Sequence, residues 1–347
     1  MAHVLVAALV ALIISILAGP FFIDFLRRNS FGQMIREEGP QHHSAKQGTP
    51  TMGGILIVLA ATIAFFATSV LTLPALTIFG TMLGCGAIGF LDDLIKVRHR
   101  RSLGLSGRIK MLLLLAISVV VSIAAHHQGL AHSVFIPIVQ VTIPLGWGWY
   151  VLVFLMIAGA SNAVNLTDGL DGLAAGTSII ALFTLTAMAV TIYIRNTDIH
   201  GHRIANRLDA AYIGAAIIGA AIGFLWFNAF PAEVFMGDTG AMALGGAIAA
   251  MTIFLQVDLL LLLVGGIFAL EALSVMLQVV SFKWWGKRVF LMAPIHHHFE
   301  MKAWSETKIM VRFWILTGIL CAGGFALFYK YYPNIRPPKL PKLPPQP

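Results

Sequence analysis

Long apolar segments without a charged residue constrain this chain more than any other feature. No Asp, Glu, Lys or Arg occurs from residue 51 to residue 91, or from residue 111 to residue 167. Only 11% of the residues are charged, whereas soluble domains carry about 25%. Because a helix needs about 20 apolar residues to cross a bilayer, the chain is predicted to be an all-α polytopic membrane protein.

Ten segments are candidate transmembrane helices. They lie at residues 3–25, 52–71, 75–92, 109–125, 147–162, 173–194, 210–229, 239–257, 259–282 and 311–329. Between the fourth and the fifth, β-branched residues, prolines and glycines predict either a small β-hairpin at 130–146 or a segment at the membrane interface. No repeat or soluble domain is visible, so we expect a single membrane domain at 1–332 and a proline-rich tail at 333–347.

The distribution of Lys and Arg predicts how the chain is oriented. The formal net charge of +8 could suggest nucleic acid, but the basic residues follow the loops between helices, and no nucleic-acid partner is expected. One of the two sets of loops holds 14 of the 23 basic residues. This set comprises residues 26–50, 93–108, 163–172, 230–238 and 283–310. Since cytoplasmic loops are rich in Lys and Arg, we expect these loops in the cytoplasm and both termini outside.

The first candidate site motif is the pair Asp92 and Asp93 at the end of the third segment, followed by Lys96. Acids at the edge of a membrane are expensive, which favours a functional site. An acidic helix end balanced by Lys96 and Arg100 is an equally good explanation of this motif taken alone. Adjacent helical residues point about 100° apart, so one acid could bind a metal while the other has a different role.

Two further motifs lie on the same predicted side. Four polar residues recur at three-residue spacing: Asn162, Asn165, Asp168 and Asp171. They form one stripe if helical, although Gly169 and Gly172 equally predict a helix break with turns and caps. Asp238 begins the eighth segment, where it could be an ordinary helix cap or a Mg²⁺ ligand beside bound phosphates. Phe235 offers a surface for stacking on a base, or an anchor at the interface.

The remaining polar motifs are a histidine run, for which a solvated loop is the alternative, a loop near residue 50 and one acid within an apolar segment. The consecutive histidines His296, His297 and His298 make a poor zinc site because neighbouring side chains diverge, but they could bind phosphate or sugar. Lys46 and Thr51 could contact an anion in a loop that glycine and proline otherwise explain. Glu271 lies within an apolar segment, where we expect a buried helix contact far from the cytoplasmic loops and no catalytic role.

Five of these stretches resemble one family of enzymes. They are GTPTMGG at 48–54, FLDDLIK at 90–96, NAVNLTDGLDGLA at 162–174, FMGDTG at 235–240 and APIHHHFE at 293–300. Together they resemble the bacterial phospho-N-acetylmuramoyl-pentapeptide transferases, the lipid I synthases of the polyprenyl-phosphate N-acetylhexosamine-1-phosphate transferase superfamily. The resemblance covers essentially the whole chain.

The resemblance implies Mg²⁺-dependent transfer of phospho-MurNAc-pentapeptide from UDP-MurNAc-pentapeptide to undecaprenyl phosphate, with lipid I and UMP as products. It further implies the inner membrane, a cytoplasmic active-site cleft, a homodimer and inhibition by nucleoside antibiotics. The catalytic residues it implies are Asp92, Asp93, Asp238, His296, His297 and His298, with Asp238 as the metal ligand. The substrate-binding residues it implies are Lys46, Thr51, Lys96, Arg100, Asn162, Asn165, Asp168, Asp171 and Phe235.

Two other functions compete with this one. A related transferase could use UDP-GlcNAc, although APIHHHFE is specific to the muramoyl-pentapeptide branch. A nucleotide-sugar or lipid transporter would bind near the midplane, often between inverted repeats, whereas here the acids gather at one face. Within the transferase reading, direct attack by the lipid phosphate is favoured over a two-step route through an aspartyl-phosphate, which stays open.

Overall fold

The computed structural model describes residues 2–29, 48–69, 71–99, 103–195 and 208–332. In these ranges the chain is helical except for one hairpin and the connecting loops. The helices are α1 Ala2–Arg28, α2 Gly54–Thr68, α3 Leu73–His99, α4 Gly107–His127, α5 Gly148–Thr167, α6 Leu173–Arg195, α7 Asp209–Asn228, α8 Gly237–Phe254, α9 Leu261–Val264, α10 Gly266–Trp285, α11 Ile295–Glu300 and α12 Glu306–Tyr331. The predicted tail at 333–347 lies outside the described residues.

Within the described ranges, nine helices are long and apolar enough to cross a membrane, and each coincides with a predicted segment. The prediction of a polytopic all-α protein is therefore confirmed. The remaining segment, predicted at 52–71, forms α2, which has only 15 residues. At 1.5 Å per residue α2 is about 22 Å long, shorter than a hydrocarbon core of about 30 Å.

The segment predicted as one helix at 259–282 is divided, so that prediction is wrong. A 3₁₀ turn at Asp258–Leu260 leads into the single turn of α9, and α10 starts after Gly265. A Cβ on Gly266 would lie 2.7 Å from Leu320 Cδ1. The paired glycines thus combine a helix break with a close approach to α12.

The hairpin expected at 130–146 is present. Strand β1 (Ser133–Ile136) pairs antiparallel with β2 (Val141–Pro144), and Ser133 lies opposite Pro144. The hairpin joins α4 to α5, and the hydroxyl of Tyr332 donates to the carbonyl of Phe135 at 3.4 Å. This bond ties the hairpin to the end of α12.

Helix α8 lies at the centre of the molecule and packs mainly against α3 and α5. Within its most apolar stretch of 18 residues, 83% of the residues are buried. The corresponding share is 28% in each of the helices α1, α4, α10 and α12. Small residues allow the close approach: a Cβ on Gly245 would lie 2.5 Å from the carbonyl oxygen of Ala160, and one on Gly246 would lie 2.6 Å from Cys85 Sγ. This packing brings the start of α8 beside the ends of α3 and α5, where the polar residues are.

Candidate active site

Two lysine side chains join the carboxylates of Asp92 and Asp238. Lys96 places Nζ 2.6 Å from Asp92 Oδ2 and 3.0 Å from Asp238 Oδ1. Lys110, in the first turn of α4, places Nζ 3.2 Å from Asp92 Oδ1 and 2.8 Å from Asp238 Oδ2. The backbone N–H of Leu105 also donates to Asp92 Oδ1, at 2.6 Å. The ends of α3, α4 and α8 therefore share one charge network, which we call the carboxylate centre.

Asp93 faces the start of α8 rather than the lysines. Its Oδ1 accepts the backbone N–H of Asp238 at 3.1 Å, and its Oδ2 accepts the N–H and the hydroxyl of Thr239 at 2.9 and 2.7 Å. A carboxylate at the first turn of a helix satisfies free N–H groups and suits the positive end of the helix dipole. The two adjacent acids thus have different partners, as their helical spacing predicts: Asp93 anchors the backbone that carries Asp238.

Asp168 adds a further carboxyl group beside this network. It follows the last residue of α5, accepts a hydrogen bond from the N–H of Gly237 and lies near Asp238 and Asp93. Removal from solvent, followed by the negative charges of Asp238 and Asp93, raises the pKa of Asp168 to about 8. The region therefore carries more acid than its lysines balance.

The loop before α2 lies against the loop before α8. The N–H of Gly53 donates to the carbonyl of Phe235 at 2.8 Å, and the N–H of Phe235 donates to the carbonyl of Pro50 at 2.8 Å. Thr51 is buried here, and a Cβ on Gly237 would lie 3.1 Å from its Oγ1. Thr51 is thus adjacent to the carboxylate centre. The ring of Phe235 is half-buried, and its stacking on a base stays a prediction.

The four polar residues at three-residue spacing do not form one helical stripe, because α5 ends before Asp168. Asn162 and Asn165 lie in the last turns of α5, and Asn162 Nδ2 donates to the carbonyl four residues earlier at 2.8 Å. Asp171 is buried, and its Oδ2 accepts the N–H of Ala232 at 3.0 Å. Asp168 reaches the carboxylate centre, whereas Asp171 holds the loop after α7. The predicted contacts of Asn162, Asn165 and Asp171 with substrate stay predictions.

The three consecutive histidines lie in α11. The expectation that neighbouring side chains diverge is wrong for the first two, because the ring centroids of His296 and His297 are only 4.1 Å apart. His297 Nδ1 contacts the carboxylate of Glu300 within the same helix. His298 Nδ1 accepts the N–H of Leu291 at 3.1 Å. Removal from solvent and the nearby charge of Lys302 lower the pKa of His298, which favours a neutral imidazole. The second histidine thus pairs within α11, and the third contacts the segment that precedes it.

His296 instead turns toward the loop that carries Asp168. A Cβ on Gly169 would lie 2.3 Å from His296 Nε2, so the ring rests directly on this glycine. On the other side of the ring, Nδ1 lies 3.1 Å from Glu271 Oε1, and both side chains are buried. The expectation that Glu271 lies far from the site loops is wrong, because α11 folds back against α10.

The sequence reasoning therefore missed two residues, Lys110 and Glu271. Each had a visible signal, since Lys110 is a charge at the start of an apolar helix and Glu271 is an acid inside one. Neither signal names the partner, which comes from a distant part of the chain. Two predicted substrate ligands, Lys46 and Arg100, lie outside the described residues.

The carboxylates of this site could hold a divalent cation only together with oxygens of a bound substrate. No group of three or more His, Cys, Asp or Glu in the parts of the chain that the structure describes is arranged to hold a metal. The carboxylates of Asp238 and Asp92 nevertheless lie close together and share two cationic groups, with Asp168 close by. Carboxylate oxygens are what Mg²⁺ prefers, usually one or two of them with substrate phosphates. The chemistry of the site is therefore compatible with Mg²⁺.

The amino-acid sequence matches one family and one narrower signature. Glycosyl transferase family 4 matches residues 75–256, which include Asp92, Asp93, Asp168 and Asp238. The phospho-N-acetylmuramoyl-pentapeptide-transferase signature 1 matches residues 46–58. The first match covers the central helices that build the carboxylate centre, and the second covers the loop that packs beside it.

Relatives that carry the name phospho-N-acetylmuramoyl-pentapeptide-transferase align with nearly the full chain. The protein from Frankia alni is 45% identical over 95% of this chain and 98% of its own length. Those from Halalkalibacterium halodurans and Bacillus subtilis strain 168 are 44% and 45% identical, each over 92% of this chain and 95% of their own length.

The matched region and the helical fold place this chain in the class of membrane-embedded glycosyl transferases of family 4. Identity at this level over almost the whole length narrows the class further. The chain belongs to the phospho-N-acetylmuramoyl-pentapeptide-transferase family. The resemblance seen in the motifs is thereby confirmed, and the protein is a multi-pass protein of the bacterial membrane.

Proposed function

We propose that this protein transfers phospho-MurNAc-pentapeptide from UDP-MurNAc-pentapeptide to undecaprenyl phosphate, producing lipid I and UMP. The carboxylate centre is the observation that carries the proposal. It combines two ammonium groups, which can bind phosphates, with carboxylates that can hold a cation. Phosphoryl transfer depends mainly on positioning and on neutralising charge, and this group of residues supplies both.

Lys96 and Lys110 are the proposed phosphate ligands. Lys96 has 31% of its side chain exposed, compared with 2% for Asp92, so the lysine is the more open side of the network. A pyrophosphate that enters there can accept hydrogen bonds from both ammonium groups while the carboxylates keep them in place. The two ammonium groups then neutralise negative charge on the oxygens of the reacting phosphate and of the departing UMP.

The geometry around Asp92 favours direct attack by the lipid phosphate. Both oxygens of Asp92 are engaged, Oδ2 by Lys96 and Oδ1 by Lys110 and Leu105. A carboxylate with these partners is a poor nucleophile, so we assign it to holding the lysines. In the proposed step an oxygen of undecaprenyl phosphate bonds to the sugar-linked phosphorus. The bond from that phosphorus to the bridging oxygen breaks, and UMP leaves with the electron pair.

Mg²⁺ is the proposed cofactor, with Asp238 as its ligand and Asp168 beside it. The excess of carboxyl groups over lysines supports this assignment. When bound there, Mg²⁺ supplies positive charge to the pyrophosphate. Asp93 keeps Asp238 in position through the backbone of α8.

The site is proposed to face the cytoplasm, where the nucleotide donor is found. Its residues lie at one end of the helices, beside the loops that hold 14 of the 23 Lys and Arg residues. A homodimer and inhibition by nucleoside antibiotics are further parts of the proposal. Both follow from the family resemblance.

A comparison of two donors tests this function. Purified protein in detergent is supplied with Mg²⁺, undecaprenyl phosphate and either UDP-MurNAc-pentapeptide or UDP-GlcNAc, and UMP and lipid-linked product are measured. We expect both products with the muramoyl donor only. Product from UDP-GlcNAc alone would identify the related transferase instead, and a folded protein that releases no UMP from either donor would favour transport.

A further inference from the structure

Glu271 is a buried acid that the proposed chemistry does not use. It lies in α10 among apolar residues and has no exposed surface. A carboxyl group in such a place is costly unless a specific partner satisfies it. Packing alone does not call for an acid here.

The partner of Glu271 is the first histidine of α11. Glu271 Oε1 lies 3.1 Å from His296 Nδ1, and the side chains are 0% and 1% exposed. We assign the hydrogen of this contact to Nδ1, so that the oxygen of Glu271 accepts it. A carboxylate bonded to one ring nitrogen fixes both the tautomer and the orientation of an imidazole.

The other edge of the imidazole rests on Gly169. His296 Nε2 is buried and has no hydrogen-bond partner among the described residues. A Cβ on Gly169 would lie 2.3 Å from this nitrogen and 2.8 Å from Cε1. The ring therefore occupies the space that a side chain at residue 169 would need, and it limits how that turn can move.

Gly169 directly follows Asp168, which accepts the N–H of Gly237 and lies beside Asp238. A continuous set of contacts thus leads from α10 through α11 to the carboxylate centre. We propose that Glu271 is a positioning residue of the transferase: it fixes the His296 ring, and the ring holds the turn that carries Asp168. The inference rests on the function proposed above.

The first test is a double-mutant cycle. Replacing Glu271 by Ala frees the ring, and loss of such an outer partner typically costs about 10- to 100-fold in activity. We expect kcat to fall by this factor. Glu271→Gln keeps an oxygen that can accept the Nδ1 hydrogen, so it should restore most of the activity. In a His296→Ala background, Glu271→Ala should change kcat by less than about twofold, because the ring through which Glu271 acts is already absent.

A merely structural role gives a different pattern. In that case Glu271→Ala lowers the unfolding temperature and reduces kcat by the same factor in both backgrounds. Equal factors, or wild-type kcat in Glu271→Ala, would overturn the proposal. Ser274→Ala is the matched control, since it removes another buried hydrogen bond of α10, from Ser274 Oγ to the backbone carbonyl of Glu271, at 2.7 Å. It should leave kcat within about twofold of wild type if the carboxylate is what matters.

A second pair of variants tests the same contacts without touching the buried acid. Gly169→Ala places a Cβ within 2.3 Å of His296 Nε2 and should displace the ring, whereas Gly159→Ala in α5 meets nothing within 4 Å. We expect a loss of kcat for Gly169→Ala similar to that of Glu271→Ala, and none for Gly159→Ala. Wild-type kcat in Gly169→Ala would overturn the inference even if Glu271→Ala failed to fold.

The activity of the wild-type protein distinguishes a failure of the positioning role from a failure of the proposed transferase function. UMP release is measured for wild type, Gly159→Ala and the test variants prepared in the same way. If the folded wild type releases no UMP, the transferase function fails and the positioning role falls with it. If wild type is active and the Glu271 and Gly169 variants match it, the positioning role fails alone.

Discussion

At the scale of single residues, Lys110 is the side chain that connects a third helix to the two acids of the carboxylate centre. Its Nζ lies within 3.2 Å of Asp92 and within 2.8 Å of Asp238, from a helix that carries neither acid. Lys96 makes a similar pair of contacts, but it shares α3 with Asp92. Lys110 therefore supplies the link between α4 and the start of α8.

Replacing Lys110 by Met should lower kcat/KM by at least tenfold. The change removes two charge-assisted contacts, each worth about 1.5–3 kcal/mol, and leaves the acids with a single shared cation. Steady-state UMP release measures the effect. Arg108→Met is the control, because Arg108 is exposed two residues earlier in the same helix. Equal losses in both variants would show that general positive charge, rather than this contact, is what the enzyme needs.

At the scale of elements, the crossing of α3 and α8 decides where Asp238 lies. A Cβ on Gly89 would come within 2.1 Å of the carbonyl oxygen of Asp238 and 2.7 Å of the N–H nitrogen of Thr239. The absence of a side chain at this position lets the two helices approach until Asp93 can bond to the start of α8. The position of the acid thus depends on backbone contact between two helices.

Gly89→Ala should therefore damage both stability and turnover. Overpacking at a tight contact costs about 1–3 kcal/mol, and a displacement of about 1 Å at a reacting group can cost about 100-fold in rate. Gly80→Ala, about two and a half turns earlier in α3, meets nothing within 4 Å and serves as the control. Thermal unfolding and kcat are measured for both. A Gly89→Ala protein that matches the control in both would contradict the role assigned to this crossing.

At the scale of the whole molecule, the apolar pattern predicts the helices well and their contacts poorly. Nine of the ten predicted segments contain a described helix long and apolar enough to cross a membrane, because length and hydropathy are properties of one segment alone. The sequence did not predict the break at Gly265, which lies next to the close approach of Gly266 to Leu320 of α12. The partners of Asp93 and Glu271 were not predicted because α8 and α11 are distant from them in sequence. The family motifs identified residues of the site, but they did not show which acid contacts which lysine.

The orientation of the molecule can be tested with single cysteines. The native Cys85 and Cys321 are buried and should not react with an impermeant maleimide. We expect Val139→Cys, in the exposed turn of the hairpin, to be labelled in right-side-out membrane vesicles. Lys302→Cys, which follows α11, should be labelled only after the vesicles are opened.

The control for this experiment is the unaltered protein, which should stay unlabelled under both conditions. Labelling of Lys302→Cys in sealed right-side-out vesicles, with protection of Val139→Cys, would reverse the proposed orientation. It would also place the carboxylate centre on the side opposite to the nucleotide donor. The charge distribution in the loops predicts the first outcome.

The most direct test of the central claim is the turnover of Asp238→Asn. Asn keeps the size of the side chain and the backbone N–H that Asp93 accepts, but it removes the charge that pairs with Lys96 and Lys110. UMP release and thermal unfolding are measured together. We predict a fall in kcat of at least about 1,000-fold, consistent with about 4 kcal/mol or more of lost transition-state stabilisation, and an unfolding temperature close to that of wild type. Wild-type turnover in this variant would contradict the claim that the carboxylate centre carries out the transfer.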